Sequence, residues 1–173
     1  MGGTAKPYLI YFSTLDGFRL PWRHVLALWI IRILSASRIV HCAFGDEQVV
    51  LSVGFKGNAY FARRVFAEHY RGIVGIVKVY GENVPLDYFE YDVGKRKAWL
   101  PTFWRYLRGG AGPWNEDCLC TTLFCLQAAG IPVPYDIATV AGLFRWLKTH
   151  GYEYEERRAR TPAPRRQRAD RPT

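Results

Sequence analysis

Cysteine is scarce in this chain, with four in 173 residues, at positions 42, 118, 120 and 125. Three of the four fall in one short segment, so the set is too small and too clustered for a disulfide framework. Free thiols or a reducing compartment fit better. The first residues, Met1-Gly2-Gly3-Thr4-Ala5-Lys6-Pro7, lack the charged region, apolar core and small-residue cleavage site of a secretory signal, so none is expected there. Long apolar runs are missing as well. Val25 to Leu34 is the most apolar stretch, but it is shorter than the roughly 20 residues of a membrane span and carries Arg32 inside. It predicts a buried or partner-facing helix and no transmembrane segment. The glycine-rich Gly109-Gly110-Ala111-Gly112-Pro113 has no Lys-Ser or Lys-Thr after it, which argues against a nucleotide fingerprint, and no cofactor is expected. There is no internal repeat.

Aromatic residues are abundant: six Trp, eleven Tyr and ten Phe suit a packed globular body rather than a disordered chain. The length fits one domain with a full core. The formal charge of +9 is uneven, because from Arg157 onward there are seven Arg against one Asp. That end therefore holds +6, and the body about +3. The expected organisation is a domain over residues 1–156, with its core at 28–150, and a disordered basic tail over 157–173. Such a tail suits contact with an anionic polymer or surface.

Tyr8 to Phe12 reads as a short strand, and Pro21 opens a helix from Trp22 to Ser35. Ile39 to Phe44 and Val49 to Phe55 read as a hairpin around Gly45-Asp46-Glu47-Gln48. Pairing Phe44 with Val49 sets Cys42 opposite Leu51 and His41 opposite Ser52. Val40, Cys42, Phe44, Val49, Leu51 and Val53 then form an apolar face. His41 and Ser52 share the other face with small residues, leaving space in front of the imidazole. Asn58 to Tyr70 reads as a helix, Ile73 to Tyr80 as a strand, Asn83 to Asp92 as a loop or short strand, and Gly94 to Arg108 as largely helical. A last helix, capped by Asp136 or Thr139, ends near His150-Gly151 with Val140, Leu143, Phe144 and Leu147 as its buried stripe.

The segment with the most chemistry runs from Asn115 to Pro132. Asp117 is a favoured N-cap, and Gly130 and Pro132 supply the stop, so the reading is a helix beginning at Cys118. A thiol at a helix start is stabilised as thiolate by the exposed N–H groups and the aligned peptide dipoles. Cys120 competes for the role, but choosing it would make Leu119 the cap, which is unfavourable. Cys118 is thus the candidate nucleophile, His41 the candidate general base and acid, and Ser52 or a backbone carbonyl the orienter of the ring. The N–H of Cys118 is a natural oxyanion donor. A zinc site from Cys118, Cys120, Cys125 and His41 or Cys42 is less favoured, because thiols on one helix at these spacings point in different directions, and no metal is expected.

Together, Ser37-Arg38-Ile39-Val40-His41, the run from Cys118 to Gly130, and Ala138-Thr139-Val140-Ala141-Gly142-Leu143-Phe144 resemble the circularly permuted branch of the NlpC/P60 papain-like superfamily. In that branch the His strand precedes the Cys helix. The likeness covers residues 28–150 and differs in having Val40 before His41, where Ser-His is common in the family. It implies an α+β, papain-like fold with a small antiparallel sheet packed against a Cys-bearing helix. It also implies a thiol hydrolase or peptidase acting on amide, ester or thioester bonds, with peptidoglycan stem peptides as a frequent substrate. Members occur in bacteria and their phages, so the expected location is the cytoplasm of the producing cell or a phage particle. The alternative is a catalytically degenerate relative, such as a virion component, that binds partners through its tail.

Overall fold

The β-branched and aromatic run after Lys6 forms the strand around which the sheet is assembled. The computed structural model describes residues 5–14, 22–54, 57–69, 72–84, 86 and 117–157. The expected helix at 94–108, the glycine-rich turn, most of the 83–92 segment and the basic tail beyond Arg157 lie outside them.

Within the described residues the chain is mixed α/β. Strands β1 (Lys6–Thr14), β2 (Ile39–Gly45), β3 (Val49–Gly54), β4 (Gly57–Ala62), β5 (Ile73–Gly81) and β6 (Glu153–Glu156) form one sheet. Their order is β4-β3-β2-β1-β5-β6, and every neighbouring pair is antiparallel. From Ile10 to Thr14 every residue of β1 is buried, as expected of a central strand covered on both faces. Helix α1 (Trp22–Leu34) links β1 to β2, α2 (Arg63–His69) links β4 to β5, and α3 (Cys118–Ala128) and α4 (Val140–Thr149) precede β6.

Two hydrophobic clusters cover the sheet. On one face Tyr8, Ile10, Phe12, Cys42, Phe44, Leu51, Val77 and Val79 meet Leu119, Leu123 and Leu126 of α3 and Val140, Leu143 and Leu147 of α4. On the other, Tyr11, Ala43, Val50, Ile73 and Ile76 meet Phe66 of α2. Phe144 reaches the first face by lying on Gly75, where a Cβ would come within 2.9 Å of its ring. Gly130, at φ 78°, ends α3 in the left-handed conformation that favours glycine.

Four expectations need correction. Residues 58–62 are strand rather than helix, and only Arg63–His69 is helical. Consecutive Tyr60 and Phe61 pack on opposite clusters, a period of two that a helix cannot provide. The hairpin pairs Phe44 with Leu51 and Ala43 with Ser52, two residues away from the expected register. The loop starts at Asp46, because its Oδ1 accepts from the N–H groups of Gln48 at 2.8 Å and Val49 at 2.7 Å. A shift of two keeps each side chain on its face. On the face that carries His41, where open space before the imidazole is expected, both His41 and Ser52 are buried. Finally, β6 was not foreseen. Its four residues are all exposed and it carries no apolar alternation, so backbone pairing to β5 defines it.

Helix α1 buries Leu28 while Leu26, Trp29 and Ile33 are exposed. Among the described residues no helix is long and apolar enough to cross a membrane.

Candidate active site

Helix α3 begins where the sequence indicates. Asp117 is extended at φ −149°, and its Oδ1 accepts from the Cys120 N–H at 2.9 Å, the reach of an N-cap onto the third helical residue. Its main-chain carbonyl accepts from the Thr121 N–H at 3.1 Å. Cys118 is therefore the first helical residue, at the positive end of the helix dipole. Its neighbours Leu119 to Leu123 are all buried, whereas Cys118 is partly exposed. The Cys118 carbonyl is also held, accepting from Thr122 Oγ1 at 2.8 Å and from the Cys42 thiol at 3.4 Å.

His41 comes from β2, next to an irregularity. Across β1 the register runs Phe12 to Cys42 and Ser13 to His41, then Thr14 to Ile39, so Val40 is the extra residue of a bulge. On the other side of β1 the register also slips by one, with Phe12 opposite Gly75 and Ser13 opposite Ile73. Bulges increase local twist and re-aim side chains. Strict alternation would offer α3 only one of any two consecutive β2 residues, yet both His41 and Cys42 interact with the Cys118 thiol.

Ser52 stands opposite Ala43, which makes it a diagonal neighbour of His41 on the adjacent strand. The two-residue error in the expected register thus leaves the pair together: His41 Nε2 and Ser52 Oγ lie 3.0 Å apart in a buried hydrogen bond. One ring nitrogen is committed to the hydroxyl. Ser13, which faces His41 from β1, is the polar neighbour that the sequence did not reveal. Its Oγ is buried and has no hydrogen-bond partner among the described residues. Only the pairing of β1 with β2 brings it near, and no local pattern announces that pairing.

The electrostatics distinguish the thiols. Cys118 is held well below the ordinary thiol value by a hydrogen bond from the Cys42 side chain, then by the charge and hydrogen bond of His41 and the Cys42 backbone N–H, with burial opposing. Cys42 is pushed well above that value by burial and by its bond to Cys118. Burial alone pushes Cys125 far up. One of these three thiols is thus poised as thiolate while the other two are kept protonated. A partly exposed thiolate beside an imidazole, with the first-turn N–H groups of a helix at hand, can attack a carbonyl and steady the resulting oxyanion.

Among the described residues no group of three or more His, Cys, Asp or Glu is placed so that it could hold a metal ion. No protein-family model, curated protein or solved structure matches the chain.

Proposed function

We infer that this protein is a cysteine hydrolase of papain-like design, related in arrangement to the permuted NlpC/P60 enzymes, in which Cys118 and His41 form the catalytic dyad. The observation that carries the reading is the convergence on Cys118, a partly exposed thiol on the first turn of a capped helix, held low by the consecutive β2 residues Cys42 and His41.

The Cys118 thiolate attacks the carbonyl carbon of an amide, and the oxygen takes the negative charge against the Cys118 N–H. Collapse of the tetrahedral intermediate breaks the C–N bond. His41 delivers its proton to the departing amine, leaving a thioester on Cys118. Water then attacks the thioester as His41 takes its proton, and the acid leaves as Cys118 regains its starting state. Ser52 orients the ring throughout through the Nε2 bond. The favoured substrate is a peptide of the peptidoglycan stem type. The arginine-rich segment after Arg157 supplies contact with an anionic wall polymer. Both assignments come from the resemblance and the charge distribution.

The test is the pH dependence of Cys118 alkylation by iodoacetamide, in the native chain and in His41→Ala, with labelled peptides mapped to separate Cys118 from Cys120. A midpoint below about 8.5, the unperturbed thiol value, that moves upward in the variant supports the dyad and directs a screen of peptide amides for a thioester adduct. Slow labelling indifferent to His41 rejects it.

A further inference from the structure

Cys42 is a nucleophilic group to which the acyl-transfer scheme gives no chemical step. It lies in β2 with no solvent exposure, in hydrogen-bond contact with Cys118. Its sulfur is 3.4 Å from the Cys118 carbonyl oxygen, and the two thiols influence each other's ionisation in opposite directions. The other cysteines are placed differently. Cys120 is two residues along α3, about 200° around the helix from Cys118, and Cys125 is two turns further on, in the core cluster.

We propose that Cys118 and Cys42 form an oxidative modification site, with Cys118 as the thiol that reacts with a peroxide and Cys42 as the resolving thiol that closes a disulfide onto it. The proposal rests on the reading of Cys118 as a reactive thiolate. In the first step the thiolate attacks one oxygen of the peroxide, which is reduced as its O–O bond breaks. Sulfur is oxidised to a sulfenic acid, and hydroxide or alkoxide departs. In the second, the Cys42 sulfur attacks the sulfenic sulfur and the S–O bond breaks. The expelled hydroxyl takes the Cys42 proton and leaves as water. A dithiol later returns both cysteines to the reduced state and is itself oxidised to a disulfide.

Three features favour this route over further oxidation. The resolving thiol lies against the residue it resolves, 3.4 Å from the Cys118 carbonyl oxygen. Closing the bond joins side chains of two directly packed elements, β2 and α3, at the disulfide length of about 2.05 Å. The influences that keep Cys42 protonated also weaken at the right moment. Burial persists, but the hydrogen bond and charge of the Cys118 thiolate disappear once Cys118 carries a neutral S–OH group. The disulfide occupies the sulfur that would attack substrate, so oxidation halts hydrolysis reversibly and protects Cys118 from irreversible sulfinic acid.

The test treats the full chain with a small excess of hydrogen peroxide, alkylates the remaining thiols and maps the peptides. The expected product is about 2 Da lighter than the reduced protein, linked between Cys42 and Cys118, with Cys118 labelling restored by dithiothreitol. In Cys42→Ser, and in Cys42→Ala as a second packing variant, the same dose should yield a Cys118 sulfinic acid about 32 Da heavier. Recovery by dithiothreitol should then fall at least about tenfold. Cys118 sulfinic acid in the native chain with Cys42 still alkylatable would overturn the proposal, as would a bridge to Cys120 or Cys125. If Cys118 stays an unmodified thiol that iodoacetamide labels slowly, the reactive-thiolate reading itself fails and takes the proposal with it.

Discussion

Helices α3 and α4 begin alike and end up with different tasks. Asp117 Oδ1 accepts from the Cys120 N–H and Thr139 Oγ1 from the Gly142 N–H, each at 2.9 Å, and both capping residues are extended. Each cap therefore sets one residue at the first helical position, in the same dipole field. In α4 that residue is Val140, fully packed in the core at the head of a buried stripe. In α3 it is Cys118, and β2 brings His41 and Cys42 against it at a bulge. A capped helix start is common, so it does not define a site by itself. The difference lies in what the sheet presents to the first turn.

The largest effect that separates the two starts is replacement of that first residue. Cys118→Ser should lower any thiol-dependent hydrolysis at least about a thousandfold and abolish iodoacetamide labelling at this position. Val140→Ser should do the reverse, costing about 2 kcal/mol of stability through lost burial and leaving the pH profile of Cys118 labelling intact. The first variant also carries a signature in pH. The native Cys118 pKa is depressed, so between that value and about 8.5 the unfolded chain binds more protons than the folded one. Stability should rise with pH across this window, be complete above it, and be lost as pH falls through the folded value. Above about 8.5 the sign reverses, because buried Cys42 and Cys125 stay protonated when folded and ionise when unfolded. Chemical denaturation from pH 5 to 10 should show the rising limb in the native chain and a flattened one in Cys118→Ser.

Next in size are the groups that β2 and β3 supply. His41→Ala should cost about 10² to 10⁴ in rate and shift the Cys118 labelling midpoint upward. Ser52→Ala removes the bond at 3.0 Å that orients the ring, so about a tenfold loss is expected. The kcat profile should change more than KM. If Ser52→Ala matched His41→Ala, the hydroxyl would have a direct part in proton transfer rather than an orienting one.

Much of this was legible in the sequence, for identifiable reasons. Caps and stops are local, so Asp117 and Gly130 mark helix ends that the structure keeps, and of the two caps open for the last helix, Asp136 and Thr139, it uses Thr139. The alternation in β2 and β3 separated Cys42, Phe44 and Leu51 from Ala43 and Val50 correctly, even with the register displaced by two, because parity survives such a shift. Non-local effects were not legible. Asp46 moved the hairpin loop by one residue through its own side chain. Tyr60 and Phe61 became strand because β3 offered a free edge, and β6 formed without an apolar pattern of its own. Within the candidate site, the cap marks Cys118 and strand alternation His41, while Ser52 follows from a hairpin register that the structure displaces by two residues. The contact of Cys42 with Cys118 and the position of Ser13 opposite His41 depend on how helix and strands dock, which no single stretch encodes.

The finest comparison is between the caps themselves. Asp117→Ala and Thr139→Ala each delete one side-chain bond to a first-turn N–H, and each should cost about 1 kcal/mol in denaturant unfolding. The two sites share no hydrogen-bond partner in the described structure, so the double variant should cost close to the sum. Alkylation kinetics should tell them apart. Loss of the Asp117 cap lets the first turn of α3 fray, which loosens the geometry between Cys118, His41 and Cys42, so labelling at pH 7 should slow a fewfold. Asp117→Asn, which can still accept from the Cys120 N–H, should recover most of that loss. Thr139→Ala should leave labelling unchanged at equal destabilisation. Equal slowing in both cap variants would mean that Cys118 reactivity follows global stability, and the first turn of α3 would then have no preorganised role beyond holding the helix.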